Sequence, residues 1–243
     1  YGSIQMFTPP KLLTNFGWSS PPPQEYAKSQ WLKKVENRSK TADLSSNGKY
    51  VCMAIDDGSF EIWETTKDIS IFSDTIKNVK DLWALSTGCL VVGTDGTTHL
   101  IKYGGKKKIL SETAQAVNTR SSEILVATKK NLEYFDLDGV SLKVVPIDPG
   151  VTALAKIDGG LATCYHEGNI KISLDSHDHP AYLQDVPAVS VERIMEGPSS
   201  TIIAGYTNGF VGMWSTNDGT LLYSMKLHGP AVHLEISDGK LYA

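Results

Sequence analysis

Along most of the chain apolar and polar residues alternate with a period of two, in short runs rich in Val, Ile and aromatic side chains that end at Gly, Asn, Asp and Ser clusters. Helical spacing is nearly absent. One pattern recurs: a strand, a tight turn built on Asp-Gly or Asn-Gly, then a strand that closes on an aromatic residue. Its first full copy is Val51-Cys52-Met53-Ala54-Ile55-Asp56-Asp57-Gly58-Ser59-Phe60-Glu61-Ile62-Trp63-Glu64. Later copies are Thr94-Asp95-Gly96-Thr97-Thr98-His99-Leu100, Lys129-Lys130-Asn131-Leu132-Glu133-Tyr134-Phe135-Asp136, Glu167-Gly168-Asn169-Ile170-Lys171-Ile172 and Asn208-Gly209-Phe210-Val211-Gly212-Met213-Trp214. The anchors Asp57, Asp95, Lys129, Glu167 and Asn208 are 38, 34, 38 and 41 residues apart.

A period near 40 with four short strands per unit predicts an all-β chain, a β-propeller of four-stranded antiparallel blades. Two-residue turns of the primed types account for the returning Gly and Asn, because those turns need positive φ. A lone sheet of this size cannot bury both faces, so the units are expected to stack. Tyr1-Gly2-Ser3-Ile4-Gln5-Met6-Phe7 superimposes on Asp57 to Trp63, which places the start of the chain in a third strand. Val232-His233-Leu234-Glu235-Ile236 and Lys240-Leu241-Tyr242-Ala243 read as the first two strands of another unit, with five complete units between. The expectation is a single propeller domain over 1–243, a fragment incomplete at both ends, from a ring of six or seven blades.

The step from position 1 to position 57 exceeds the period, and the excess lies between Thr8 and Lys40. Lys11 to Phe16 can be a fourth strand. Beyond the breaker Ser19-Ser20-Pro21-Pro22-Pro23, the spacing of Ala27, Trp31 and Val35 predicts one short amphipathic helix. This insertion, residues 8–40 with Trp18 and Trp31, is a candidate partner-binding element.

The segment Asp57-Gly58-Ser59-Phe60-Glu61-Ile62-Trp63-Glu64 resembles the repeat signature of the WD-repeat family of β-propellers. The segment Asn208 to Ser215 and the ending Phe135-Asp136 are similar to it. The resemblance spans about residues 41 to 243 and is one of repeat pattern. It departs from the family at Lys129-Lys130, where Asp-Gly is usual, at Ser173, where Trp is usual, and in lacking the Gly-His pair that opens a typical unit. The resemblance implies an interaction module whose turns between second and third strands recognise a peptide or folded partner. Asp56, Asp57, Asp95, Lys129, Lys130, His166, Glu167 and Asn208 are the candidate partner-binding residues on those turns.

Composition narrows the reading. With 23 basic and 27 acidic side chains the net charge is -4, so nucleic-acid binding is not expected beyond the local clusters Lys106-Lys107-Lys108 and Lys129-Lys130. No apolar run approaches the ~20 residues of a membrane span, and no membrane insertion is expected. The three cysteines lie in apolar runs without C-x-x-C spacing, which argues for free thiols and a cytoplasmic or nuclear location. The sequon Asn37-Arg38-Ser39 points the other way.

No nucleophile elbow, phosphate loop, zinc-protease helix or dinucleotide fingerprint is present, so neither enzyme chemistry nor a cofactor is expected. The one dense polar cluster, Asp175-Ser176-His177-Asp178-His179-Pro180, offers metal-ligand types but reads better as a solvated loop. The preferred function is a noncatalytic protein–protein interaction scaffold in an intracellular complex, its partners other protein subunits or peptide motifs. A substrate receptor of a ubiquitin ligase and a trafficking or coat component fit the same features. A propeller hydrolase or a nucleic-acid-binding propeller would be functions of another class.

Overall fold

Alternation decides the strands, and the turns decide how they pair. The computed structural model describes residues 2–7, 29–35, 39–45, 47–120, 122–175, 181–231, 234–237 and 240–242. Every regular element among the described residues is a β-strand. A two-stranded sheet joins β1 (Gly2–Phe7) to β2 (Ser29–Val35). Five four-stranded sheets follow. The first blade is β3 (Ser39–Leu44), β4 (Tyr50–Ile55), β5 (Ser59–Glu64) and β6 (Ile69–Thr75). The second is β7 (Val79–Ala84), β8 (Gly88–Gly93), β9 (Thr98–Lys102) and β10 (Lys107–Ser111). The third is β11 (Ala116–Arg120), β12 (Glu123–Ala127), β13 (Asn131–Asp136) and β14 (Ser141–Pro146). The fourth is β15 (Val151–Ile157), β16 (Gly160–Tyr165), β17 (Ile170–Leu174) and the short β18 (Ala181–Tyr182). The fifth is β19 (Val191–Gly197), β20 (Thr201–Tyr206), β21 (Phe210–Ser215) and β22 (Leu221–Lys226). A last pair joins β23 (Glu235–Ser237) to β24 (Lys240–Tyr242).

In each blade the strands neighbour one another in chain order, so these sheets are the five complete units expected from the repeat. The second strands β4, β8 and β20 are buried along nearly their whole length, which explains their continuous apolar runs. The fourth strands β14 and β22 are largely exposed. Bulges recur at matching places. Register slips by one residue near the start of the first strand in four blades, between Ser39 and Thr41, Val79 and Asp81, Val151 and Ala153, and Val191 and Arg193.

By its contacts the chain divides into two units, Tyr1–Gly93 with Ile101–Lys106 and Thr94–Leu100 with Lys107–Ala243. In the second, β11 packs on β15 and β15 on β19. Lys156 N–H donates to Asn118 Oδ1 at 3.3 Å and Asp158 N–H to Glu196 Oε1 at 2.5 Å. Both pairs are 38 residues apart, so these first strands lie side by side and run the same way, one repeat out of step. Arg120 fastens the array, donating to Lys156 O at 3.1 Å and pairing with Glu196 at 2.5 Å.

Three expectations change. The helix expected around Ala27, Trp31 and Val35 is contradicted over 29–35, which forms β2, with Trp31 opposite Met6. A spacing of four residues is a multiple of the strand period as well as close to the helical one, so it cannot separate the two. Residues 8–28, with Trp18 and the expected strand Lys11 to Phe16, lie outside the described residues, as do Asn37 and the 176–180 part of the polar cluster.

The second change is that Cys52 and Cys89 are joined as a disulfide in the first unit, with 6.1 Å between Cα atoms, while Cys164 is free and buried. One repeat on from Cys52 is Leu90, since 52 + 38 = 90. Cys89 precedes it and faces the other way along β8, back toward the first blade. Both cysteines join a core that includes Phe60, Ile62, Val79, Leu82 and Val91.

The third change concerns the turns. At Asp56-Asp57-Gly58 the Gly58 N–H donates to Ile55 O at 3.0 Å, and of the three residues Gly58 alone has positive φ. This is a type I turn closed by a left-handed glycine rather than a primed two-residue turn.

Candidate functional site

Every turn residue singled out from the sequence falls between a second and a third strand. Asp56 and Asp57 lie between β4 and β5 in the first unit, where Asp57 Oδ1 accepts from Ser59 N–H at 2.8 Å. The others belong to the second unit: Asp95 between β8 and β9, Lys129 and Lys130 between β12 and β13, His166 and Glu167 between β16 and β17, Asn208 between β20 and β21. All eight are exposed. Because β11, β15 and β19 are parallel neighbours, the turns of the third, fourth and fifth blades share one edge. Asp95 joins that edge through Gly96, whose carbonyl accepts from Ala114 N–H at 2.9 Å just before β11. Trp31, on β2, belongs to the other unit.

These turns are stiff. Asp95 Oδ1 accepts from Thr97 N–H and Asn208 Oδ1 from Phe210 N–H, each at 2.9 Å. Hydrogen bonds from Thr97, its backbone contributing most, hold the Asp95 carboxyl below its ordinary range. Gly168 and Gly209 have φ of +84° and +82°, and a Cβ on Gly168 would stand 2.0 Å from Pro187 O. The turn at Lys129-Lys130 has no left-handed residue. It is closed by Thr128, which gives its N–H to Asn131 O at 2.8 Å and takes the Asn131 N–H on Oγ1 at 3.2 Å. Lysines are therefore tolerated there.

A second feature was not anticipated. Between the third and fourth blades the second unit has a cleft of about 650 Å³. Leu132, Tyr134, Lys143 and Val145 line it from β13 and β14; Leu161, Thr163, Lys171 and Ser173 line it from β16 and β17. Lys143 Nζ sits 5.3 Å from the centre of the Tyr134 ring. Lys171 Nζ donates to Asp148 Oδ2 at 2.7 Å, and the Tyr165 hydroxyl lies 3.4 Å from the same oxygen. Lys171 lowers the Asp148 carboxyl and Asp148 raises the Lys171 ammonium. Burial raises the Tyr134 phenol, with the nearby Asp175 carboxylate adding to it.

The next junction shows why the space exists. Ser173 pairs with Leu161 and Trp214 pairs with Ile202, both 41 residues on, so Ser173 and Trp214 hold the same position in successive hairpins. Trp214 is fully buried between the fourth and fifth blades and donates its indole N–H to Gln184 O at 2.7 Å. Its ring folds over Gly212, where a Cβ would meet Cη2 at 2.2 Å. In the fourth blade that Gly–Trp pair is Lys171–Ser173. The sequence shows the missing Trp at Ser173; only the facing blades show that the space left by it stays open.

No family model matches the chain, and no curated protein matches it in sequence. Solved structures match its fold. BamB from Moraxella catarrhalis aligns with a TM-score of 0.62 at 10% identity, over 89% of this chain and 85% of that one. Hsv2 of Kluyveromyces lactis aligns with a TM-score of 0.65 at 13% identity, over 88% and 75%. The fold is a β-propeller. The computationally designed Ika8 protein is similar too, with a TM-score of 0.62 at 15% identity, over 82% of this chain and 66% of that one. Likeness at such identities concerns architecture alone.

Proposed function

We propose that this propeller is a noncatalytic interaction module of the WD-repeat type that docks other protein subunits or peptide motifs on its turns between second and third strands. The observation that carries the reading is the shared edge of the second unit, where stiff turns present Lys129, Lys130, His166, Glu167 and Asn208. Side chains of both signs on fixed backbones suit recognition by charge complementarity, which sets specificity and association rate more than affinity.

The test is affinity purification of the full-length protein with mass spectrometry, comparing the natural chain with a Lys129→Glu, Lys130→Glu, Glu167→Lys variant. All three side chains are exposed and none closes its turn, so circular dichroism should be unchanged. Loss of a defined set of partners supports the proposal; an unchanged partner list sinks it. Deletion of 19–37 is a poor probe of the insertion, because it removes β2; deletion of 19–28 spares the strand.

The proposal of a cytoplasmic or nuclear setting meets the Cys52–Cys89 disulfide, which suits an oxidising one. Thiol labelling of the protein from its own cells decides between them. Labelled Cys52 and Cys89 support the intracellular setting; blocked ones refute it.

A further inference from the structure

We propose that the cleft between the third and fourth blades is a docking pocket for a tryptophan side chain carried on an extended segment of a partner protein. None of the turn residues named above lines it, so either proposal can fail without the other.

The fold itself shows what fits. At the matching place one blade on, an indole fills the junction completely. In the cleft the ring is missing, yet the walls suit one. Tyr134, Leu132, Val145 and Leu161 give flat and apolar surface, and aromatic pairs favour offset or edge-on contact with a phenol ring. In the fifth blade the indole N–H needs an acceptor and finds Gln184 O. The cleft offers the Asp148 and Asp175 carboxylates for that purpose. Asp148 is kept ionised by Lys171, so it is ready to accept.

Leucine or another aliphatic group would bury against the same walls but add no hydrogen bond to either carboxylate, so it gains less there than an indole. Tryptophan brings both an apolar body and one donor, the combination that dominates protein interface anchors. Lys171 and Ser173 keep the pocket empty of the chain's own indole. The Lys171 side chain stands where Gly212 stands in the fifth blade, and any Cβ there collides with a ring folded in the manner of Trp214.

The experiment is a methyl and amide NMR titration of the full chain with N-acetyl-tryptophanamide, with N-acetyl-leucinamide as control. Shifts are expected at Leu132, Val145 and Leu161, with a Kd on the order of 1 mM for the tryptophan probe and binding at least about five times weaker for the leucine probe. Tyr134→Ala should weaken the tryptophan probe about three- to tenfold. The graft Lys171→Gly with Ser173→Trp should place an indole in the cleft and abolish the shifts there. Equal binding of the two probes, shifts confined to other parts of the chain, or undiminished binding by Tyr134→Ala would overturn the proposal. Tyr134 is half-buried at the cleft wall, so Tyr134→Ala tests the pocket even if the graft fails to fold.

Discussion

The junction between the third and fourth blades and the junction between the fourth and fifth are built from the same hairpin at a shift of 41 residues, yet one is open and the other filled. In the filled junction Trp214, Tyr206 and Phe210 form an aromatic cluster with ring centres 5.7 to 6.3 Å apart. In the open junction the matching places hold Ser173, Tyr165 and Asn169; Leu132, Val151 and Leu154 still pack together at its buried side, and the ion pair of Lys171 and Asp148 lies along the cleft. Three positions carry the contrast, Gly212, Trp214 and Phe210 against Lys171, Ser173 and Asn169. Junction packing in a repeat fold can therefore be set position by position while the backbone repeat stays intact.

The strongest way to break the comparison is Trp214→Ala, which should make the second junction resemble the first. It should cost about 3–5 kcal/mol in urea unfolding, because a buried ring is removed from a packed site. The first unit closes a junction by a third means, and reducing Cys52–Cys89 should cost about 3–4 kcal/mol by loop entropy for a separation of 37 residues. Unfolding followed with and without a reductant reads that loss. Gly168→Ala should destabilise by about 2 kcal/mol or more, since its φ is left-handed and the new methyl meets Pro187 O. Lys130→Gly, at the equivalent turn, should change stability by less than about 1 kcal/mol.

Alkaline titration sharpens the contrast further. Burial raises the Tyr206 phenol in the filled junction and the Tyr165 phenol in the open one, and Tyr103 in the first unit is pushed up to about 12. A phenol whose folded value is raised stabilises the fold below its ordinary value near 10, and that stability is lost as pH rises above it. Ultraviolet titration should show the Tyr206 and Tyr103 phenols ionising only as the chain unfolds above about pH 10, with Trp214→Ala moving Tyr206 to lower pH. The smallest effect belongs to Asp148→Asn. The carboxylate is exposed, so the loss in thermal unfolding should stay under about 1 kcal/mol.

Much of this architecture is written in the turn glycines. Gly58, Gly96, Gly168 and Gly209 all take positive φ, and because that need is local the repeat can be counted along the chain. The unusual step of 34 ends at Lys129-Lys130, where Thr128 closes a turn that needs no glycine. Readings failed where two periods coincide or where a partner lies one repeat away. Ala27, Trp31 and Val35 satisfied helix and strand alike, and β1 settled the matter by pairing with β2. Cys52 and Cys89 meet because they sit one residue short of the repeat, a relation that reveals itself only once facing strands are known. The turn residues of the candidate site were legible, being local. The cleft was not, since an absent side chain leaves a space only if the opposing blade does not fill it.

The glycine under the Trp214 ring bears on how such a chain can change over generations. A tryptophan arriving at Ser173 alone would meet Lys171, and a glycine arriving at Lys171 alone would give up the pairing with Asp148 and loosen β17. Either substitution taken singly is a step down, and only the pair restores a sealed junction. The open cleft is thus held by a two-step barrier, which would preserve it in descendant sequences even during intervals when nothing selects for what it binds.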